Sequence, residues 1–196
     1  KMASHSSFVS QSKISRGCTW EYYRSHSWHA TNKTDIRLTG SLEMPLTNND
    51  APLIWVDLEM TGLIPETDKI LEVAIIITDS ELNHLDDGLN LVIHQPDDIL
   101  DSMNDWCLKQ HGQSGLTQLS KESTIDVQTA EKQALDYIKR NCTKGLSPLC
   151  GNSVGHDKRF LEIWMPELTE YLHYRIIDVS TIKELVKRWY PQEKLL

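Results

Sequence analysis

The chain has 196 residues, 24% of them charged, and a formal net charge of −8 at neutral pH. This length suits one α/β domain with its own core and a tail, rather than two domains. Residues 51–196 carry 14 basic and 24 acidic side chains, a net charge of −10. Proteins that hold long nucleic acids nonspecifically gain most of their affinity from Lys and Arg contacts to phosphates. The composition therefore excludes that class, while a short nucleic acid could still be held through metal ions and a few placed side chains.

The N-terminal segment differs from the rest in composition. Residues 1–34 are rich in Ser, carry five Lys or Arg and one acid, and show no apolar periodicity. Such a composition is typical of a transit peptide, and a disordered tail is the alternative. We therefore divide the chain into a disordered or transit-like segment, 1–50, and a folded domain, 51–196.

Cysteine usage and hydropathy bear on the compartment. Cys18, Cys107, Cys142 and Cys150 form no CxxC pair, which fits reduced thiols in an intracellular compartment. The sequence contains no run of 18 apolar residues, and the N-terminus lacks the apolar stretch of a secretory signal. We expect no membrane partner.

The first half of the domain predicts three strands. Residues 53–58 and 69–78 are apolar runs that indicate buried strands. Residues 88–95 form a third such run, which Pro96 ends. Short turns between these runs favour a three-stranded meander.

The second half predicts alternating strands and helices. The apolar spacing over 126–141 indicates an amphipathic helix capped by Asp126. Residues 148–152 predict a short strand that leads into a helix, and 174–177 predict another strand before a helix over 178–189. Hairpin strands followed by βα units predict an α/β fold, a mixed sheet flanked by helices.

Two acids at the end of the first strand are the most informative feature. Asp57 and Glu59 lie two residues apart in an otherwise apolar strand, so both carboxylates point to one face. Carboxylates held close together repel each other and lose hydration, unless a proton or cation compensates. Hard divalent cations such as Mg²⁺ and Mn²⁺ do this well. The alternative is a solvated strand end.

Asp157 is a third candidate ligand. It follows Gly151-Asn-Ser-Val-Gly-His156, where a predicted strand turns into a helix, so it could face the first pair across neighbouring strand ends. Three converging carboxylates can hold two metal ions about 3.5 to 4 Å apart for displacement at phosphorus. The alternative is that Asp157 only caps its helix.

Four segments resemble motifs of the oligoribonuclease family, in the DEDD exonuclease superfamily. They are VDLEMTGL at 56–63, SMNDWC at 102–107, GNSVGHDKRF at 151–160 and HYRIIDVSTIKEL at 173–185. The resemblance implies a ribonuclease-H-like fold, a homodimer, and 3′→5′ hydrolysis of RNAs of about two to five nucleotides to 5′-mononucleotides. It is strongest for the animal members, which implies a mitochondrial location together with a cytoplasmic one.

The resemblance also assigns the metal ligands. Asp57, Glu59 and Asp157 match three of the family's four acids, which coordinate two Mg²⁺ or Mn²⁺ ions. The fourth acid and the general-base histidine belong to an HxAxxD motif beyond the position of Trp189, and these 196 residues do not contain it. We therefore expect a C-terminally incomplete exonuclease domain that lacks C-terminal helices. The alternative function is a catalytically impaired form that binds short RNA or dimerises with a full-length subunit.

Further residues resemble the family's substrate contacts. Leu63 matches a residue that wedges between the last two bases, and Met60 should line the same pocket. Trp106 matches a tryptophan that stacks near the terminal nucleotide, with a core tryptophan as the alternative.

Other matched positions lie later in the chain. Ser153 resembles a residue near the 5′-phosphate end, although an ordinary turn serine is the alternative, and His156 lies near the site and at most touches substrate. Tyr174 and Arg175 resemble a pair that reaches from one subunit toward the substrate of the other. Asp178 predicts a helix start with a capping-box pattern, so we assign it a structural role.

Overall fold

The computed structural model describes residues 51–190. The N-terminal segment assigned to residues 1–50, and residues 191–196, lie outside the described part. The strands are β1 (Leu53–Met60), β2 (Ile70–Thr78), β3 (Leu89–Val92), β4 (Leu149–Gly151) and β5 (Ile176–Asp178). The helices are α1 (Asp97–Asp101), α2 (Asp105–Ser114), α3 (Leu116–Glu122), α4 (Val127–Asn141), α5 (Gly155–Trp164), α6 (Pro166–Tyr171) and α7 (Val179–Trp189).

The strands form one mixed sheet in the order β3-β2-β1-β4-β5. β1 pairs antiparallel with β2, and β2 pairs antiparallel with β3. β4 lies parallel to β1 and β5 lies parallel to β4. Helices cover the sheet, which confirms the predicted α/β class with its meander followed by βα units.

The pairing of β1 with β2 sets the geometry of the acidic strand end. Ile54, Val56 and Leu58 alternate along β1 and are buried, so one side of this strand faces the core. The register is regular until an irregularity between Glu59 and Met60. The sheet therefore changes its pairing beside the two acids.

The main core lies between the sheet and the helices α4, α5 and α6. Ala130, Ala134 and Ile138 of α4 are fully buried, as the predicted amphipathic spacing requires. Asp126 caps α4 as predicted, because its side chain accepts a hydrogen bond from the backbone N–H of Thr129. α5, α6 and Met165 between them contribute four fully buried side chains, Phe160, Leu161, Met165 and Leu168.

A smaller cluster holds α1, α2 and α3. Its buried members are Leu71, Leu100, Met103, Cys107 and Leu116. The sequence predicted no element over residues 97–122, because the three helices are short and Gly115 interrupts them with a φ of +83°. No window there is long enough to show helical periodicity.

Two strands and one helix differ most from the prediction. β3 is shorter than residues 88–95, although the N–H of Ile93 still donates to the carbonyl of Leu71. β5 covers Ile176–Asp178 rather than 174–177. α6 was not predicted; it begins directly after α5 with Pro166 at its first position, where proline is favoured.

Three of the four cysteines lie in the described part of the chain. Cys107, Cys142 and Cys150 are buried free thiols. No helix over residues 51–190 is both long and apolar enough to span a bilayer.

Candidate active site

The site forms where β1 and β4 end at the same edge of the sheet. Gly151 closes β4 directly against β1, since a Cβ at this position would lie 2.8 Å from the carbonyl oxygen of Val56. Glycine is therefore needed for the close approach. It brings the turn that starts α5, with Asp157, beside the end of β1.

Asp157 bridges α5 to β1. The residue lies in the first turn of α5, only 7% exposed. Its Oδ1 accepts a hydrogen bond of 3.0 Å from the backbone N–H of Leu58. Because β4 ends at Gly151, this carboxylate serves an N–H that the strand ladder leaves free. Asp157 thus makes a tertiary contact with β1. An aspartate that only caps its own helix would not make this contact.

Asp57 and Glu59 stand on one face of β1, and a residue missed by the sequence analysis joins them. Glu72 on β2 lies directly opposite Glu59 in the register. Desolvation, followed by the charge of Glu72, raises the pKa of Asp57, although the tip of its side chain remains open to solvent. Desolvation, then Asp57 and Glu72, raises the pKa of Glu59 to about 7. Glu72 could have been found from the sequence, because it is an acid inside an otherwise apolar predicted strand.

Asp157 is electrostatically part of the same group. Desolvation raises its pKa to about 7, assisted by the charges of Asp57 and Glu59 and opposed by the hydrogen bond from Leu58. Each of these carboxylates therefore lacks a compensating positive charge nearby.

The donor set fits a hard divalent cation by its chemistry, since it consists of carboxylate oxygens that repel one another. Within residues 51–190, however, no three His, Cys, Asp or Glu side chains are gathered closely enough to form an ion-binding cluster.

His111 connects α2 to the acidic strand end. It is 2% exposed, and its Nε2–H donates a 2.9 Å hydrogen bond to the carbonyl oxygen of Met60. Its Nδ1 lies 3.9 Å from Oε2 of Glu59. The sequence analysis did not single out this residue, because a histidine on a short helix carries no signal of what it contacts.

The loop after β1 presents Leu63 to solvent, with 68% of its surface exposed. The carboxylate of Asp68 accepts hydrogen bonds from the N–H of Ile64 at 2.8 Å and the hydroxyl of Thr61 at 3.4 Å. A Cβ at Gly62 would collide with this carboxylate. Hydrogen bonds within the loop thus fix its conformation, and the side chain of Leu63 projects into solvent.

Trp106 also projects outward. It lies in the first turn of α2 and is 69% exposed, so the alternative of a core tryptophan is wrong. Asn104 caps this helix by accepting from the N–H of Cys107 at 3.0 Å. Met60, by contrast, packs partly buried against the main core.

Ser153 occupies a strained turn between β4 and α5. Its φ is +57°, a left-handed conformation that serine rarely adopts. Its N–H donates to Oδ1 of Asp178 at 2.8 Å and to the hydroxyl of Ser180 at 3.1 Å. His156 is exposed whereas the adjacent Asp157 is buried, so the two side chains diverge.

Tyr174 and Arg175 lie on the surface just before β5. Tyr174 is 75% exposed, and the guanidinium of Arg175 lies 5.2 Å from the centre of its ring. Asp178 caps α7, because its side chain accepts from the N–H of Ser180. The predicted structural role of Asp178 is confirmed.

Solved structures share this fold. Exonuclease I of E. coli, in complex with a dT13 oligonucleotide, superposes with a TM-score of 0.56 at 14% identity, over 72% of this chain and 31% of that chain. Exonuclease I from Methylocaldum szegediense gives 0.58 at 16% identity, over 72% of this chain and 30% of that chain. The fold is that of the ribonuclease-H-like exonucleases.

The sequence comparisons identify the family. Residues 54–194 match the family described as Exonuclease. Human mitochondrial oligoribonuclease is 58% identical over 141 residues, 72% of this chain and 60% of that protein. The oligoribonuclease of Pseudoalteromonas atlantica is 56% identical over 140 residues, 71% of this chain and 77% of that protein. The chain belongs to the oligoribonuclease family, and it spans 60% of the length of the human relative.

Proposed function

We propose that this domain is the catalytic part of a 3′→5′ exoribonuclease that degrades oligoribonucleotides of about two to five residues to 5′-mononucleotides. The observation that carries the proposal is the group of mutually repelling carboxylates, Asp57, Glu59 and Asp157, at the shared end of β1 and β4. The human relative is named a mitochondrial oligoribonuclease, in agreement with this reading.

Asp57, Glu59 and Asp157 would hold two divalent cations, Mg²⁺ or Mn²⁺. When bound, such ions polarise a phosphoryl oxygen and acidify a water molecule. The protein contributes the placement of the three ligands. Asp157 is fixed by the N–H of Leu58, and His111 lies against Glu59 and the backbone of Met60.

Exposed apolar side chains on the loop after β1 and on α2 suit a short single strand. Stacking of a base on an aromatic ring contributes ~1 to 3 kcal/mol, and Trp106 has the exposure that stacking needs. Leu63 projects from a loop held by Asp68 and would wedge against a base. The net charge of −10 over residues 51–196 would disfavour a long strand, because each further phosphate adds repulsion.

Ser153 would contact the 5′-phosphate end. Its hydroxyl is exposed and lies 3.1 Å from that of Ser180. The ten-residue helix α5 begins just after it without a side-chain cap, and the N–H groups of such a helix end attract phosphate. His156 is exposed on this turn and would touch substrate at most.

We also propose a homodimer in a mitochondrial location. Tyr174 and Arg175 are exposed and would reach the substrate of a second subunit. α7 exposes apolar Ile182, Leu185 and Trp189, and such a face supports a protein contact. The bovine relative, like the human one, is named mitochondrial.

A second candidate function is binding of short RNA without efficient cleavage. The exposed side chains of Trp106 and Leu63 favour it, since they would contribute to binding of a short strand whether or not cleavage follows.

The two functions separate in one experiment. The 196-residue chain is incubated with 5′-phosphorylated diadenylate and Mg²⁺ or Mn²⁺, and both binding and release of AMP are measured. Metal-dependent AMP release that Asp157→Asn abolishes supports the exoribonuclease. Binding without AMP release favours the second candidate, and absence of binding refutes both.

A further inference from the structure

We infer that Asp178 is a positioning residue, which holds Ser153 in its left-handed turn and thereby sets the preference for a 5′-phosphorylated RNA end. The inference rests on the proposed function of Ser153. It gives Asp178 a role beyond the cap of α7.

The contacts of Asp178 converge on the turn. Its Oδ1 accepts hydrogen bonds from the N–H of Ser153 at 2.8 Å, from the hydroxyl of Ser180 at 2.7 Å and from the N–H of Ser180 at 3.1 Å. Its Oδ2 accepts from the hydroxyl of Thr181 at 2.8 Å. One carboxylate thus ties the first turn of α7 to the turn that precedes α5.

A helix cap alone does not need this arrangement. Asp126 caps α4 by accepting from Thr129, whose backbone N–H donates at 2.7 Å. Asp178 caps α7 by accepting from the N–H of Ser180, and it also reaches Ser153, which is 25 residues away in sequence. The long-range bond fixes a serine whose φ of +57° is otherwise unfavourable.

The hydroxyl of Ser153 depends on the same network. It lies 3.1 Å from the hydroxyl of Ser180, which in turn donates to Asp178. Without the carboxylate, Ser180 would be free to rotate, and Ser153 would lose the partner of its N–H. Both groups would then leave the positions they occupy beside the start of α5.

The charge of Asp178 supports positioning rather than direct contact with phosphate. Partial burial opposes its ionisation, but the hydrogen bonds from Ser180, Thr181 and Ser153 outweigh this and lower the pKa of Asp178. An ionised carboxylate beside a phosphate repels it. An acid at this place therefore aids phosphate binding only through the donors that it orients.

Asp178→Ser tests this, because serine caps a helix as well as aspartate but is too short to bridge to Ser153. Asp126→Ser is the matched control, since Asp126 also caps a helix but is distant from Asp178 in the sequence. Asp178→Asn is the conservative variant, since its amide oxygen still accepts from Ser153 and its amide group can donate to Thr181. Affinities for diadenylate with and without a 5′-phosphate are measured on the 196-residue chain by calorimetry, with Ca²⁺ replacing Mg²⁺ and RNA integrity checked afterwards.

We expect the unaltered chain to prefer the 5′-phosphorylated dinucleotide. Asp178→Ser should reduce this preference about tenfold, a loss equal to about one hydrogen bond to a charged group, while affinity for the 5′-hydroxyl form changes little. Asp126→Ser and Asp178→Asn should keep the preference within about threefold. Hydrogen exchange at the Ser153 amide should accelerate in Asp178→Ser alone.

Different results overturn different statements. A preference that Asp178→Ser leaves intact, or equal losses in Asp178→Ser and Asp126→Ser, refutes the positioning role alone. An unaltered chain that binds both dinucleotides equally also refutes it, since no preference then exists to be set. An unaltered chain that binds neither refutes the proposed function as well.

Discussion

Asp157→Asn should stabilise the cation-free domain at alkaline pH. The pKa of Asp157 rises from 3.8 to about 7 on folding, so the fold favours the protonated carboxyl. Its contribution to stability is present below pH 3.8 and is lost as the pH rises through about 7. Asparagine removes the charge but keeps the oxygen that accepts from the N–H of Leu58.

The size of the stability change follows from the pKa shift of Asp157. About three pKa units at 1.36 kcal/mol each give an upper bound of about 4 kcal/mol at about pH 8. The unfolded state is already ionised at about pH 5, so roughly 2.5 kcal/mol of this develops between about pH 5 and pH 8. The advantage of Asp157→Asn over the unaltered chain should grow by up to that amount.

Urea unfolding in EDTA at the two pH values measures the effect. Asp126→Asn is the control with the opposite sign, because hydrogen bonds to Thr129 lower the pKa of Asp126, and its loss should weaken the domain at alkaline pH. Saturating Mn²⁺ should stabilise the unaltered chain more than Asp157→Asn. An Asp157→Asn chain less stable than the unaltered one at about pH 8 in EDTA would refute the reasoning.

Substitutions at three further residues test other parts of the site. Trp106→Ala should weaken binding of short RNA by ~1 to 3 kcal/mol without lowering the melting temperature, because the ring is exposed; Trp106→Phe should retain most of the affinity, and a core role would instead lower the melting temperature. Ser153→Gly should be about 1 kcal/mol more stable than Ser153→Ala in urea unfolding, because glycine tolerates the positive φ; equal midpoints would contradict the strain. His111→Phe should cost about 1 to 3 kcal/mol, because the carbonyl of Met60 loses its partner, and an unchanged urea midpoint would show that this bond contributes nothing.

The sequence predicted those structural features that depend on local residue patterns. The alternation in β1, the periodicity of α4 and the cap at Asp126 are short-range features, and the structure confirms them. Motif resemblance at 56–63, 102–107, 151–160 and 173–185 predicted the family, which the comparisons confirm. The sheet class followed from hairpin spacing and βα alternation.

What the sequence missed depends on register and on contacts between distant residues. Glu72 joins the acidic group only because β2 pairs with β1 so that it faces Glu59. The contact of His111 with Met60 spans 51 residues, and that of Ser153 with Asp178 spans 25. A local residue pattern carries no information about contacts over such sequence separations. The helices α1 to α3 are too short to show a helical periodicity in the sequence.

The division of the buried residues into a main core and a smaller cluster has a consequence for how the site opens. Twenty-one buried residues hold α4, α5 and α6 to the sheet, whereas five hold α1, α2 and α3. Elements with few buried apolar contacts open locally at a smaller free energy than the rest of a domain. Trp106 and His111 stand on a weakly held helix and Asp157 on a strongly held one. Local unfolding of α2 would therefore displace Trp106 and release His111 from Met60 and Glu59, while Asp157 keeps its hydrogen bond from the N–H of Leu58.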